Sequence, residues 1–118
     1  MEIDNENVKI KIYFPKTESK YVATAVVSVR TIEFGFLTIK MFRIWKSPYL
    51  NSRLQEKINI TPPALVMHGA TKQLIFIENA DDWFRLEALI YDAYHLAMTK
   101  QHKRQPVNED VNPDDVPL

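Results

Sequence analysis

The apolar residues Trp83, Leu86, Ile90, Ala93, Tyr94 and Ala97 recur at helical spacing, whereas the apolar positions nearer the N-terminus alternate with a period of two. A stripe at the first spacing needs a helix to gather it onto one face. A period of two needs a strand. Strands first and one helix last predict an α+β fold: an antiparallel β-sheet of about five short strands, one amphipathic C-terminal helix and an acidic tail. Residues 1–104 are expected to form one domain. Residues 105–118, with Pro106, Pro113 and Pro117 and little apolar content, are expected to be a disordered tail.

Asn79 is suited to cap the helix, since its side-chain oxygen can accept from N–H groups of the first turn. Asp81 and Asp82 lie where the helix dipole favours negative charge, and Lys100, His102, Lys103 and Arg104 lie where it favours positive charge. Upstream, Val8-Lys9-Ile10-Lys11-Ile12-Tyr13-Phe14 alternates until Pro15. Tyr21 to Thr31 and about Phe34 to Trp45 predict an antiparallel hairpin. In its second strand Phe34, Phe36, Phe42 and Ile44 are expected on one face and Leu37, Ile39, Met41 and Trp45 on the other, so burial on both sides is expected. Ser47 to Ser52 reads as a loop, Leu54 to Thr61 as a strand stopped by Pro62-Pro63, and Leu74 to Ile77 as a short strand. Ala64 to Lys72 fits a helix or a strand.

Composition narrows the function classes. The chain has no cysteine, which in so small a domain favours the reducing cytoplasm. Its N-terminus lacks the basic start and apolar stretch of a signal peptide, and no apolar run has the roughly 20 residues of a membrane helix. The net charge of zero is uneven. Without Glu109, Asp110, Asp114 and Asp115 of the tail, the rest carries 15 basic and 11 acidic residues.

No metal motif stands out: Asp92 and His95 share a helical face, but two ligands are too few for a zinc site. Ser28 and Ser47 lack the setting of a nucleophile elbow, and with Gly35 and Gly69 alone a phosphate-cradling loop is not expected. The chain is therefore read as a non-enzyme with no cofactor and no small-molecule substrate. Lys100, Lys103 and Arg104 are the candidate phosphate contacts, weighed against simple compensation of the helix dipole. Lys46, Tyr49 and Arg53 form a weaker trio in which Tyr49 could stack on a base. Trp83 and Tyr94 fit the core better. Lys9 and Lys11 read as a charged strand surface that discourages aggregation.

The order of segments resembles the SpoVG family of small bacterial septation and sporulation regulators. The similarity runs from about Val8 to Tyr94. Ala23-Thr24-Ala25-Val26-Val27-Ser28-Val29 is similar to the family's second strand, Phe36 to Ile44 to its next strand, and Lys57 to Pro63 to the strand entering a proline turn. Asn79, Arg85-Leu86 and Tyr94 match the helix at its spacings. In two places the chain departs from the pattern: Ala64-Leu65 stands where basic residues are usual, and Gln55-Glu56 where a glycine is common. The resemblance implies a homodimer that binds DNA or RNA in a regulatory role, with Arg85 on the binding surface. The alternative expectation is a protein-interaction module that recruits a partner strand at a sheet edge.

Overall fold

The computed structural model describes residues 2–4 and 7–103, with side chains placed from Asn7 to Lys100. Arg104 and the tail 105–118 lie outside the described residues. The elements are β1 (Glu2–Asp4), β2 (Val8–Tyr13), β3 (Tyr21–Thr31), β4 (Gly35–Asn51), β5 (Glu56–Thr61), β6 (Ala64–Met67), β7 (Ala70–Gln73) and α1 (Ala80–Lys103). Strands β1 to β5 form one antiparallel sheet in sequence order, and β6 and β7 form a separate hairpin.

The helix lies over one face of the sheet. Ile10 and Ile12 of β2, Ala23, Ala25 and Val27 of β3, Phe42 and Ile44 of β4, and Ile58 and Ile60 of β5 are buried with Ile90, Ala93, Tyr94 and Ala97. Phe42 is fully buried, so its truncation to Ala should cost about 3–5 kcal/mol. Asn79 caps α1 as its sequence predicts: the Asp82 N–H donates to Asn79 Oδ1 at 3.1 Å, and the Trp83 N–H to the Asn79 carbonyl at the same distance.

Four expectations change. First, β1 is a strand that its polar sequence did not announce, so β2 is not an edge and Lys9 and Lys11 face out from within the sheet. Second, β3 and β4 are long, at 11 and 17 residues. β4 runs through Ser47-Pro48-Tyr49-Leu50, expected as a loop. Its pairing with β5 is interrupted between Lys46 and Asn51, which is where a proline without an N–H is tolerated. Third, Leu74 to Ile77 is not a strand. The Leu74 N–H donates to the Pro63 carbonyl at 2.8 Å and closes the β6–β7 hairpin, after which the chain runs irregularly to the helix cap. The ambiguous segment before it is this hairpin. His68 and Gly69, with φ of 51° and 79°, make its tight turn.

The fourth change concerns β4. Val27 pairs with Ile39 while Ala25 pairs with Phe42, so β4 carries one residue more than β3 there. Met41 takes a φ of 76° within this bulge. An extra residue inverts the phase of every side chain beyond it. Phe36 therefore points away from Phe42 and Ile44, not with them, and Ile39 joins the core side. Phe34 lies in the turn between β3 and β4, exposed. The expected burial of β4 on both sides is overturned, since no second layer covers most of its outer face.

Candidate nucleic-acid interface

The sheet face opposite α1 is built by register. Lys9, Ser28 and Thr38 lie in one cross-strand row. Tyr13, Thr24, Arg43 and Thr61 form another, and Tyr21, Trp45 and Asn59 a third. Arg30 pairs with Phe36. Ser28 Oγ and Thr38 Oγ1 share a 2.7 Å hydrogen bond.

Cations and rings interleave across this face. The Phe36 ring has Lys9 Nζ 4.6 Å and Arg30 Cζ 4.7 Å from its centroid. Lys11 Nζ is 5.7 Å from the Tyr13 ring, and Arg43 Cζ is 5.7 Å from the Tyr21 ring. Trp45 meets Tyr21 edge to face at 5.9 Å, and its Nε1–H donates to Thr61 Oγ1 at 2.8 Å. From Phe36 to Arg43 the path along β4 is roughly 23 Å at about 3.3 Å per residue. Two acidic residues stand at register positions beside these cations, Glu2 paired with Lys11 and Asp4 with Lys9 in β1.

At its Arg43 end the face meets the β6–β7 hairpin. Arg43, Trp45, Asn59, Thr61, Val66 and Gln73 line a cavity of about 440 Å³ between them. The Arg43 Nε is buried and makes no hydrogen bond, and among the described residues no carboxylate forms an ion pair with Arg43.

The residues expected to bind nucleic acid from their sequence pattern do not form one site. Arg85 is exposed on the first turns of α1 and ion-paired to Asp82 at 3.2 Å. Lys100 is exposed near the other end, roughly 22 Å along the helix at about 1.5 Å per residue. Lys103 closes α1 as backbone, its side chain outside the described residues with Arg104. The trio of Lys46, Tyr49 and Arg53 is divided. Lys46 lines a shallow cleft with Trp45, Glu56 and Tyr94, and Tyr49 is exposed with its N–H donated to Ser47 Oγ. Arg53 is committed to Glu87, with Nε 2.8 Å from Oε1 and Nη2 3.0 Å from Oε2, and it stacks 4.4 Å from the Phe84 centroid. Hydrogen bonding to Glu87 raises its already high pKa. Arg53 therefore holds the β4–β5 turn to the helix.

A second polar cluster joins β5 to α1. The Tyr91 hydroxyl donates to Glu56 Oε1, and His95 Nε2 lies 3.6 Å from the same oxygen. That hydrogen bond, with lesser help from burial, pushes the Tyr91 pKa up to about 12. Burial likewise raises Tyr94. A phenol held protonated in this way is a clamp and not a base at neutral pH. His95 engages Glu56, and among the described residues no group of three potential ligands is placed to hold a metal ion.

Lys9, Lys11, Arg30, Phe36 and Arg43 are the residues that sequence reasoning missed. Alternation put Lys9 and Lys11 on the outward face, and that signal was present. Phe36 needed knowledge of the bulge. Comparison with protein-family models, curated proteins and solved structures finds no match for the chain. No helix among the described residues is long and apolar enough to cross a membrane.

Proposed function

We propose that this protein is a non-enzymatic nucleic-acid-binding regulator whose binding surface is the helix-free face of its sheet, and that it prefers single strands. The observation that carries this reading is Phe36, held half-buried between Lys9 and Arg30 on an otherwise open sheet. A ring offers a base a stacking platform worth about 1–3 kcal/mol, freed here when a cation over the ring swings out to meet a phosphate. Bases inside a duplex are already stacked and gain little from such a platform. The proposed role agrees with the resemblance to the SpoVG regulators and moves the surface from the helix to the sheet.

A salt-titrated binding assay with single-stranded and duplex oligonucleotides of one sequence tests it. Tighter binding to the single strand is expected, with affinity falling steeply as salt rises. Absence of binding at low salt would refute the proposal.

A second reading draws on β5. Among the described residues this strand pairs with β4 alone, and Leu65, Val66 and Met67 are exposed on the hairpin that follows. An open edge beside apolar side chains can accept a strand from a second copy or another protein. The homodimer implied by the family resemblance would be built there. Sedimentation at micromolar concentration checks it, and a monomer mass throughout would remove it.

A further inference from the structure

We infer that the cavity under the β6–β7 hairpin is a phosphate-recognition pocket, in which Arg43 anchors the phosphoryl group of a nucleotide while Trp45 lines the space beside it. The inference rests on the nucleic-acid reading and assigns the chemistry of one end of that surface.

The donor set points to an anion. Arg43 brings a permanent positive charge, and the polar lining adds Asn59, Thr61, Thr71 and Gln73 with no acidic residue. Thr61 Oγ1 already accepts from Trp45 Nε1–H, so its own proton is left to donate. Gln73 Nε2 gives one of its two protons to the Ile75 carbonyl and keeps the other. Arg43 Nε is buried with no acceptor. A buried donor of that kind is costly to leave unpaired, and a turn of the guanidinium into the cavity that Arg43 lines brings its edge to a phosphoryl oxygen, which supplies what it lacks. Arg is the side chain suited to this task, because its fork matches two oxygens of one phosphate.

The walls limit what can enter. Pro62, Ala64, Val66 and Trp45 supply the apolar part of the cavity's lining. Its volume, about 440 Å³, falls within the range of small-ligand sites. A phosphate with its sugar and base fits this description better than an isolated inorganic ion, which would leave the apolar walls uncovered. The phosphoryl group could belong to a free mononucleotide or to a unit of a strand lying across the face.

The test uses the full chain with Trp83→Phe, so that Trp45 is the single tryptophan. Its fluorescence is titrated with uridine, uridine monophosphate, inorganic phosphate and a single-stranded oligonucleotide. The monophosphate is expected to bind at least tenfold tighter than the nucleoside and tighter than phosphate alone. Arg43→Gln should abolish the preference for the monophosphate over the nucleoside, and Arg43→Lys should restore part of it. Circular dichroism confirms that each variant is folded. Should Trp83→Phe prove unstable, calorimetry on the natural sequence replaces the fluorescence. Equal binding of nucleoside and monophosphate, or an Arg43→Gln protein that keeps the preference, would overturn the inference. The two proposals separate cleanly. Oligonucleotide binding that depends on Phe36 but not on Arg43 leaves the sheet face standing and removes the pocket. Monophosphate binding that depends on Arg43, without oligonucleotide binding, does the reverse.

Discussion

The guanidinium of Arg53, on the turn between β4 and β5, embraces the carboxylate of Glu87 on α1 with two nearly parallel hydrogen bonds of 2.8 and 3.0 Å. The two partners are not equally exposed: the Arg53 side chain is 44% accessible and the Glu87 side chain 1%. Removing either therefore has a different consequence. Arg53→Ala leaves the buried carboxylate with only the 3.4 Å hydrogen bond from Asn51 Nδ2 and should cost about 3 kcal/mol. Glu87→Gln leaves an arginine that can turn to solvent and should cost roughly 1–2 kcal/mol. Chemical denaturation of both variants checks the order, and an Arg53 variant the more stable of the two would show that the pair does not tie the turn to the helix.

Tyr91 gives the fold a dependence on alkali. Its phenol titrates near 10 in an unfolded chain and at about 12 when bonded to Glu56. The folded state thus holds the proton more tightly. The stability from this group is complete below about pH 10 and is lost as pH rises through about 12. Tyr91→Phe should flatten that part of the stability–pH curve. Phenolate absorbance of the native protein should show Tyr91 and Tyr94 ionising later than in the denatured chain, and Tyr91→Phe should remove one of the two.

Gln55 stands with a φ of 60° in the turn between β4 and β5. The left-handed region costs a residue with a Cβ about 1 kcal/mol. Gln55 is exposed, and its amide donates to the Ser52 carbonyl at 2.7 Å, a bond the substitution gives up. Gln55→Gly should still raise stability, by roughly 0.5 kcal/mol, measurable as a higher melting temperature.

The β1 register carries its own consequence for binding. Glu2 and Asp4 occupy register positions paired with Lys11 and Lys9, which adds two acidic residues to the strand beside the sheet's cations. Glu2→Gln with Asp4→Asn should tighten single-strand binding at low salt, and the gain should shrink as salt screens it. Unchanged affinity would place β1 outside the electrostatics of the surface.

Much of the fold was legible in the chain because its core obeys simple periods. Ile10, Ile12, Ile58 and Ile60 sit where alternation puts them, and Ile90, Ala93, Tyr94 and Ala97 where a helix puts them. What escaped depended on non-local geometry. The bulge at Met41 has no local signature such as glycine, yet it moves Phe36 from the core face to the outer one. β1 is too short and polar to read as a strand alone, and only pairing with β2 makes it one. The helical cations were prominent because they are close in sequence. Lys9, Arg30 and Phe36 are brought together by the register of three strands, which no linear spacing reveals. Arg53 looked available because nothing in its own neighbourhood announces Glu87, a carboxylate buried between Leu86 and Ala88 on a distant helix.

The most direct test compares two double variants against one fluorescent single-stranded oligonucleotide at fixed low salt. The first, Arg30→Gln with Phe36→Ala, removes a cation and a ring from the sheet face. The second, Arg85→Gln with Lys100→Gln, removes two cations from the helix. If the sheet face binds the strand, the first variant loses at least tenfold in affinity, about 1.4 kcal/mol, while the second stays close to the unmodified protein. A sheet variant that binds normally beside a helix variant that does not would contradict the account and return the surface to the helix.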